Sequence, residues 1–137
     1  MERVVIAAAV IVITSAVALV LGRRRADAPT QDRVAVPRQI DRADFAQPEA
    51  PWLVALFTSE TCASCADVMA KASVLASPEV AYDVIPWQTR KDVHQRYRID
   101  TVPLIVMADQ LGVVRRSFVG TPAFTDLEAA LAEAREG

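Results

Sequence analysis

Cys62 and Cys65 are the only two cysteines in a chain of 137 residues, and Ala63-Ser64 separates them. A dithiol at this spacing can close into a small disulfide ring and reopen by exchange with another disulfide. Other chemistries use the same spacing and can be weighed on the residues around it. Haem attachment needs a histidine after the second cysteine, where Ala66 stands. A zinc site needs three or four ligands, but the chain has no second cysteine pair and one histidine, His94. A cysteine protease needs a base, and His94 is its sole candidate. His94 lies in Lys91-Asp92-Val93-His94-Gln95-Arg96 and reads as a solvated residue on a charged helix face. A redox pair and an inert structural pair remain. No metal or cofactor is expected on either reading.

The elements around the pair favour redox chemistry. Trp52-Leu53-Val54-Ala55-Leu56-Phe57 is an unbroken apolar run, as a strand buried on both faces requires. Cys65, Val68, Met69, Ala72, Leu75 and Ala76 recur at helical spacing, so a helix is expected from Cys62 to about Ala76. The pair then sits where a strand runs into a helix. Unpaired N–H groups and the helix dipole at that end favour a thiolate on Cys62, the attacking species. Cys65, one turn further in and more shielded, suits the resolving role.

The rest of the chain alternates. A second strand is expected over Val80–Ile85, a short polar helix over Arg90–Tyr97 and a third strand over Leu104–Ala108. Asp109-Gln110-Leu111-Gly112 makes a turn, with Gly112 suited to positive φ. A fourth strand follows over Val113–Val119. Thr125-Asp126-Leu127-Glu128 reads as a capping box opening a last helix. The first two strands should pair in parallel across a helix crossover and the last two as an antiparallel hairpin. The fold class expected is α/β, a mixed central sheet with flanking helices, preceded by one transmembrane helix.

That helix is expected at the amino terminus. Val4–Leu21 is eighteen uncharged residues in which only Thr14 and Ser15 are polar. At about 1.5 Å per residue it spans roughly 27 Å, close to the hydrocarbon thickness of a bilayer. A cleaved signal peptide has a shorter core, and the one A-x-A match, Ala26-Asp27-Ala28, is followed by Pro29. Arg23-Arg24-Arg25 instead flanks the run as a stop-transfer signal would. The organisation expected is therefore an anchor with its basic flank over 1–25, a linker over 26–41 and a folded domain over 42–137. Within the linker, Val34-Ala35-Val36 could form a short edge strand. By the positive-inside rule a single-pass protein of the cell membrane results, its domain facing the cytoplasm. The opposite orientation would make the domain extracytoplasmic. The net charge is −2. In residues 1–25 four arginines outnumber Glu2 by three, which leaves −5 on the remainder and argues against nucleic acid as a partner.

Three segments together resemble the thioredoxin family over about residues 40–136. They are the strand Leu53–Phe57 leading to Cys-x-x-Cys, the run Tyr97-Arg98-Ile99-Asp100-Thr101-Val102-Pro103-Leu104-Ile105-Val106, and Gly112-Val113-Val114 followed by Phe118-Val119-Gly120. The resemblance implies a thioredoxin-like fold in which Pro103 is a cis-proline facing the cysteines. It also implies that Val102 offers its backbone to a substrate peptide and that Thr61, in the place of the family's aromatic, contacts substrate. The chain departs from the pattern at other positions. Ala63-Ser64 replaces Gly-Pro, which by family analogy raises the reduction potential. Leu56 replaces a buried acid thought to help the second thiol lose its proton, so Cys65 should resolve slowly unless another base or water serves. Glu60 would raise the pKa of Cys62 if close, or is a solvated loop charge.

Two functions fit this reading. One is a membrane-anchored thiol–disulfide oxidoreductase acting on a protein disulfide or dithiol client, with Cys62 as nucleophile, Cys65 as resolving thiol and an electron-donor protein to restore the pair. The other is a non-catalytic adaptor or redox-sensing module of the same fold.

Overall fold

The computed structural model describes residues 1–26 and 34–137. The chain divides into two units, Met1–Arg33 and Val34–Gly137. In the first, helix α1 runs over Glu2–Ala26 and covers the whole of the apolar run. Its side chains are described as far as Ala18. Among the described residues no helix is long and apolar enough to cross a membrane. The transmembrane helix expected over Val4–Leu21 is therefore present as a helix and is not established as a span. Residues 27–33 of the expected linker lie outside the described residues.

The second unit is built on a four-stranded sheet of β1 (Trp52–Thr58), β2 (Val80–Pro86), β3 (Leu104–Asp109) and β4 (Val114–Val119). Their order is β2-β1-β3-β4. β1 pairs in parallel with β2 and antiparallel with β3, and β3 pairs antiparallel with β4. Helices α2 (Cys65–Ser73), α3 (Lys91–Arg96) and α4 (Phe124–Glu136) flank it. The apolar run of β1 is explained by its central place. Leu53, Ala55 and Phe57 face one layer with Phe45, Ile85, Val93 and Ile99. Val54 and Leu56 face the other with Val68 and Ala72 of α2 and Leu127 and Leu131 of α4. Period-two alternation thus feeds two cores from one strand.

A 3₁₀ turn over Arg42–Asp44 precedes the sheet. Arg42 is buried, and its guanidinium donates to the carbonyls of Ala50 (2.8 Å), Asp109 (3.1 Å) and Gln47 (3.1 Å). It ties the chain entering β1 to the end of β3. The edge strand expected at Val34-Ala35-Val36 does not form. Pairing begins after Pro37, as a single bridge between Gln39 and Val113. The N–H of Ile40 donates to the carbonyl of Gly112 at 2.9 Å. This contact explains the glycine. Gly112 has a φ of 80°, and a Cβ there would lie 2.0 Å from the carbonyl oxygen of Ile40. Gly112→Ala is therefore expected to cost on the order of 2–3 kcal/mol, read from the midpoint of chemical denaturation.

Asp109 closes the same turn. Its carboxylate accepts the N–H groups of Leu111 (2.9 Å) and Val113 (3.0 Å) and pairs with Arg115 at 2.8 Å. Burial pushes its pKa up, but the two amides and Arg115 outweigh that and hold it below the ordinary carboxylate range. A depressed folded pKa contributes stability above the unfolded value, and that stability is lost as pH falls. Asp109→Asn should lower stability by about 1–2 kcal/mol at neutral pH. The gap should narrow as pH falls through the depressed folded pKa, where wild type loses the charge as well. Denaturation midpoints across pH would show it, and a gap constant with pH would refute it.

The capping box expected at Thr125–Glu128 is not formed. α4 begins at Phe124, and its N-cap is Ala123, extended at φ −69° and ψ 149° with no side-chain capping bond. The Ala123 carbonyl takes the first amides, from Asp126 (3.1 Å) and Leu127 (3.2 Å), so Thr125 is already inside the first turn.

Candidate redox site

β1 delivers the site. Phe57, near its end, lies opposite Leu104 at the start of β3. The loop that leaves β1 and the segment that enters β3 therefore emerge at one end of the sheet. The first carries Ser59 to Cys65 and the second carries Val102-Pro103. The Val102–Pro103 peptide bond is cis, as the resemblance implied, and Pro103 is buried.

Cys62 and Cys65 are joined by a disulfide, with S–S at 2.16 Å and Cα atoms 5.5 Å apart. The helix starts later than expected, not at Cys62 but at Cys65, where the periodic residues themselves begin. Cys62 sits in the preceding turn, closed by the Cys65 N–H on the Cys62 carbonyl at 3.4 Å. The helix ends at Ser73, where the N–H groups of Leu75 and Ala76 turn back to Ala72 and Ser73 in tighter turns. The stagger separates the sulfurs by environment. Cys62 is partly exposed, with its Sγ 3.7 Å from the Ser64 hydroxyl, and Cys65 is 3% exposed. The more accessible sulfur is the one a second molecule can attack or be attacked by, and the buried one can reach only its neighbour.

The loop before Cys62 is braced by Ser59 and Gln88, which the sequence did not single out, and by Thr61. Ser59 Oγ lies 3.1 Å from Thr61 Oγ1. Gln88 donates to Ser59 Oγ at 3.0 Å and accepts the Glu60 N–H at 3.0 Å. Nothing in residue type or spacing distinguishes Ser59 or Gln88, because their pairing depends on the β1–β2 register. A cavity of about 290 Å³ opens beside the disulfide, lined among others by Thr58, Glu60, Cys62, Cys65, Met69 and Pro86. Glu60 is exposed and borders the same space as both sulfurs.

Leu56 occupies the position of the missing acid. It is fully buried in the layer of Val68, Ile105, Met107 and Leu127, and it lies between Val84 and Ile105 in the sheet register. Among the described residues the buried polar side chains are Arg42, Thr58 and His94, so no buried carboxylate replaces it.

His94 corrects the sequence reading. It is not solvated but 1% exposed. α3 is only six residues long, so Val93 and His94 both turn inward against the sheet. The His94 ring packs edge-on to Phe57 (5.1 Å between centroids) and Trp87 (5.3 Å), and its Nε2 is 2.8 Å from the Ile85 carbonyl oxygen. Arg98, at φ 55°, turns the chain after α3 so that the Ile99 N–H reaches the His94 carbonyl at 2.8 Å. A signal was available in the inward neighbours Val93 and Ile99. The surrounding charges obscured it.

No family model and no curated protein matches the chain. Solved structures do. A Fasciola hepatica thioredoxin matches with a TM-score of 0.55 at 20% identity, over 64% of this chain and 84% of the other. A mutant thioredoxin from Halobacterium salinarum NRC-1 matches with a TM-score of 0.56 at 18% identity, over 64% of this chain and 77% of the other. At such identities the likeness speaks for the fold, and the closed cysteine pair is an independent observation on this chain. A mixed four-stranded sheet, helices on both faces, a cis-proline at the head of β3 and a Cys-x-x-Cys disulfide between β1 and α2 together give this chain the thioredoxin fold.

Proposed function

We propose that the chain is a thiol–disulfide oxidoreductase acting on protein clients, with Cys62 as nucleophile and Cys65 as resolving thiol. The observation that carries this reading is the disulfide itself, closed between a partly exposed and a buried sulfur at the end of a central strand. In the reducing direction, the Cys62 thiolate attacks a client S–S bond and one client thiolate leaves. Cys65 loses its proton to solvent or a nearby base and attacks Cys62 Sγ in the mixed disulfide. The second client thiolate leaves, and the Cys62–Cys65 bond closes. A dithiol electron donor then restores the pair. Every electron the client gains comes from the two thiols. Val102, Pro103 and Thr61 are the substrate-contacting positions on this reading, because they border the same end of the sheet as Cys62.

The amino-terminal helix is the membrane anchor on the same reading. Val4, Val5, Ile6, Val10, Ile11, Val12, Ile13 and Val17 are each more than half exposed, and such a face is stable in lipid rather than water. The Thr14 hydroxyl donates back to the carbonyls of Val10 (2.8 Å) and Ile11 (3.0 Å), so it needs no water. The three arginines after the run favour a cytoplasmic domain. Alkaline extraction of membranes should leave the chain in the pellet, and protease added outside sealed cells should spare the domain.

The function is tested by equilibrating the full chain, in detergent, against a series of glutathione ratios and trapping free thiols. A reversible two-thiol transition supports the enzyme. A pair that never opens, or partner binding unchanged in Cys62→Ser/Cys65→Ser, would give its place to the adaptor.

A further inference from the structure

The resolving step asks for a base that the core does not hold. Cys65 is 3% exposed, and a thiol in buried surroundings gives up its proton less readily than one in water. Leu56 stands where an acid could have taken that proton, and no carboxylate is buried among the described residues. The cavity of about 290 Å³ beside the disulfide offers another route, because both Cys62 and Cys65 line it. Val84 lines it too, and Val84 is the β2 neighbour of Leu56 in the sheet register. The space therefore borders both the buried sulfur and the residue next to the position that lacks the acid.

Besides the cysteines, one residue on its walls carries an acid–base group. Thr58, Ser59 and Thr89 contribute hydroxyls, which are too weak as bases to take a thiol proton, and the remaining residues but one are apolar. The exception is Glu60. Its N–H is held by Gln88 at 3.0 Å, which fixes the loop two residues before Cys62. Glu60 is exposed and enters no ion pair among the described residues. The titratable groups of the neighbouring elements are engaged elsewhere. On α2, Asp67 pairs with Lys71 at 2.7 Å. On β2, Asp83 faces Arg90 at 3.8 Å, and Tyr82, its pKa raised by burial, donates to the Met69 carbonyl at 3.2 Å. His94 lines a different cavity and lies against the Ile85 carbonyl. A space of this size with polar walls admits water, and one water can carry a proton between groups that do not touch.

We propose that Glu60 is the proton acceptor for Cys65 in the resolving step, acting through water in this cavity. The inference rests on the thiol–disulfide reading of Cys62 and Cys65 and names the base that step uses. The Cys65 proton passes by water to the Glu60 carboxylate, and the Cys65 thiolate attacks Cys62 Sγ. The Cys62–Cys65 bond forms as the bond from Cys62 to the client breaks. The client sulfur leaves with the electron pair and takes a proton from Glu60 or from solvent. The two electrons the client gains still come from the two thiols, and Glu60 only carries the proton.

The test mixes the reduced full chain, in detergent, with a nitrobenzoate disulfide whose two halves each leave as a coloured thiolate. The first release reports attack by Cys62, and its rate scales with reagent concentration. The second reports closure by Cys65, and its rate does not. At about pH 6, Glu60→Gln should slow the second release by about tenfold or more, toward the range of a general base. The deficit should shrink toward about pH 9, where an ordinary thiol ionises unaided. The sign of the effect separates this role from a bystander charge. A carboxylate that merely sits near a thiol disfavours its thiolate, so on that account Glu60→Gln would speed closure. A second release that is faster or unchanged in Glu60→Gln would overturn the proposal. Equal slowing at every pH would mark a displaced loop rather than a lost base, and would overturn it as well. Absence of the first release from the wild-type chain would overturn the redox reading itself, and the role of Glu60 with it.

Discussion

Cys62→Ser is expected to lower disulfide exchange by a factor on the order of 10³ or more, because the other cysteine, Cys65, is buried. Cys65→Ser should behave differently. Its Cys62 remains at the accessible position and still attacks, but the mixed disulfide has no internal thiol to release it. The variant should accumulate covalent client adducts that thiol-reactive mass labelling detects. The double variant should be no slower than Cys62→Ser alone, since the two sulfurs act in series on one bond. Equal loss in both single variants without captured adduct would argue against this order of attack. The reverse pattern, with adducts on Cys65, would contradict the burial that separates the sulfurs.

Leu56→Asp is expected to have the largest effect on stability, on the order of 4 kcal/mol or more at neutral pH. The substitution removes a fully buried aliphatic side chain and places a carboxylate in the aliphatic layer of Val68, Ile105, Met107 and Leu127. The pH dependence should run opposite to that of Asp109. Burial without a partner raises a carboxyl's folded pKa above its unfolded value near about 3.9, so the folded state holds its proton longer. Stability of the variant should then be greatest in acid and fall as pH rises from about 4 through the folded pKa. Thermal denaturation of the full chain at several pH values reads both the size and the slope. A near-normal midpoint at neutral pH would mean that water or a polar group reaches position 56.

The parts of the fold legible from sequence were those written in strong local patterns. The apolar run of β1 could only be a central strand, and its neighbours follow from the same logic. Gly112 announced its turn. Element ends were harder to read. The periodic residues themselves begin at Cys65, and the expected start at Cys62 takes in the turn before the helix, so α2 starts three residues later. Thr125-x-x-Glu128 has the residue types of a capping box, but Pro122-Ala123 brings the chain into the helix earlier. At the site, the cysteine pair was legible and its surroundings were not. His94 is surrounded in sequence by charges, and only the packing of a six-residue helix against β1 and β2 turns it inward beside Trp87. The Ser59–Gln88 brace joins residues 29 apart, a pairing no local pattern carries.

The two outer strands of the sheet are finished by different means. β2 is covered near its middle, where Asp83 accepts the Ala46 N–H at 2.9 Å and draws in Arg90. β4 begins under the Arg38–Ile40 segment and then runs free, with Arg115, Arg116 and Ser117 exposed. Arg115 and Arg116 pair with Asp109 and Glu133 respectively. An edge of unpaired backbone groups is a template on which another extended chain can grow, and closely spaced charges discourage that growth. A protein whose work is to hold partly unfolded, cysteine-bearing segments would constantly meet such chains. On the proposed oxidoreductase reading, the charged open border lets such chains meet the disulfide end without adding as a fifth strand.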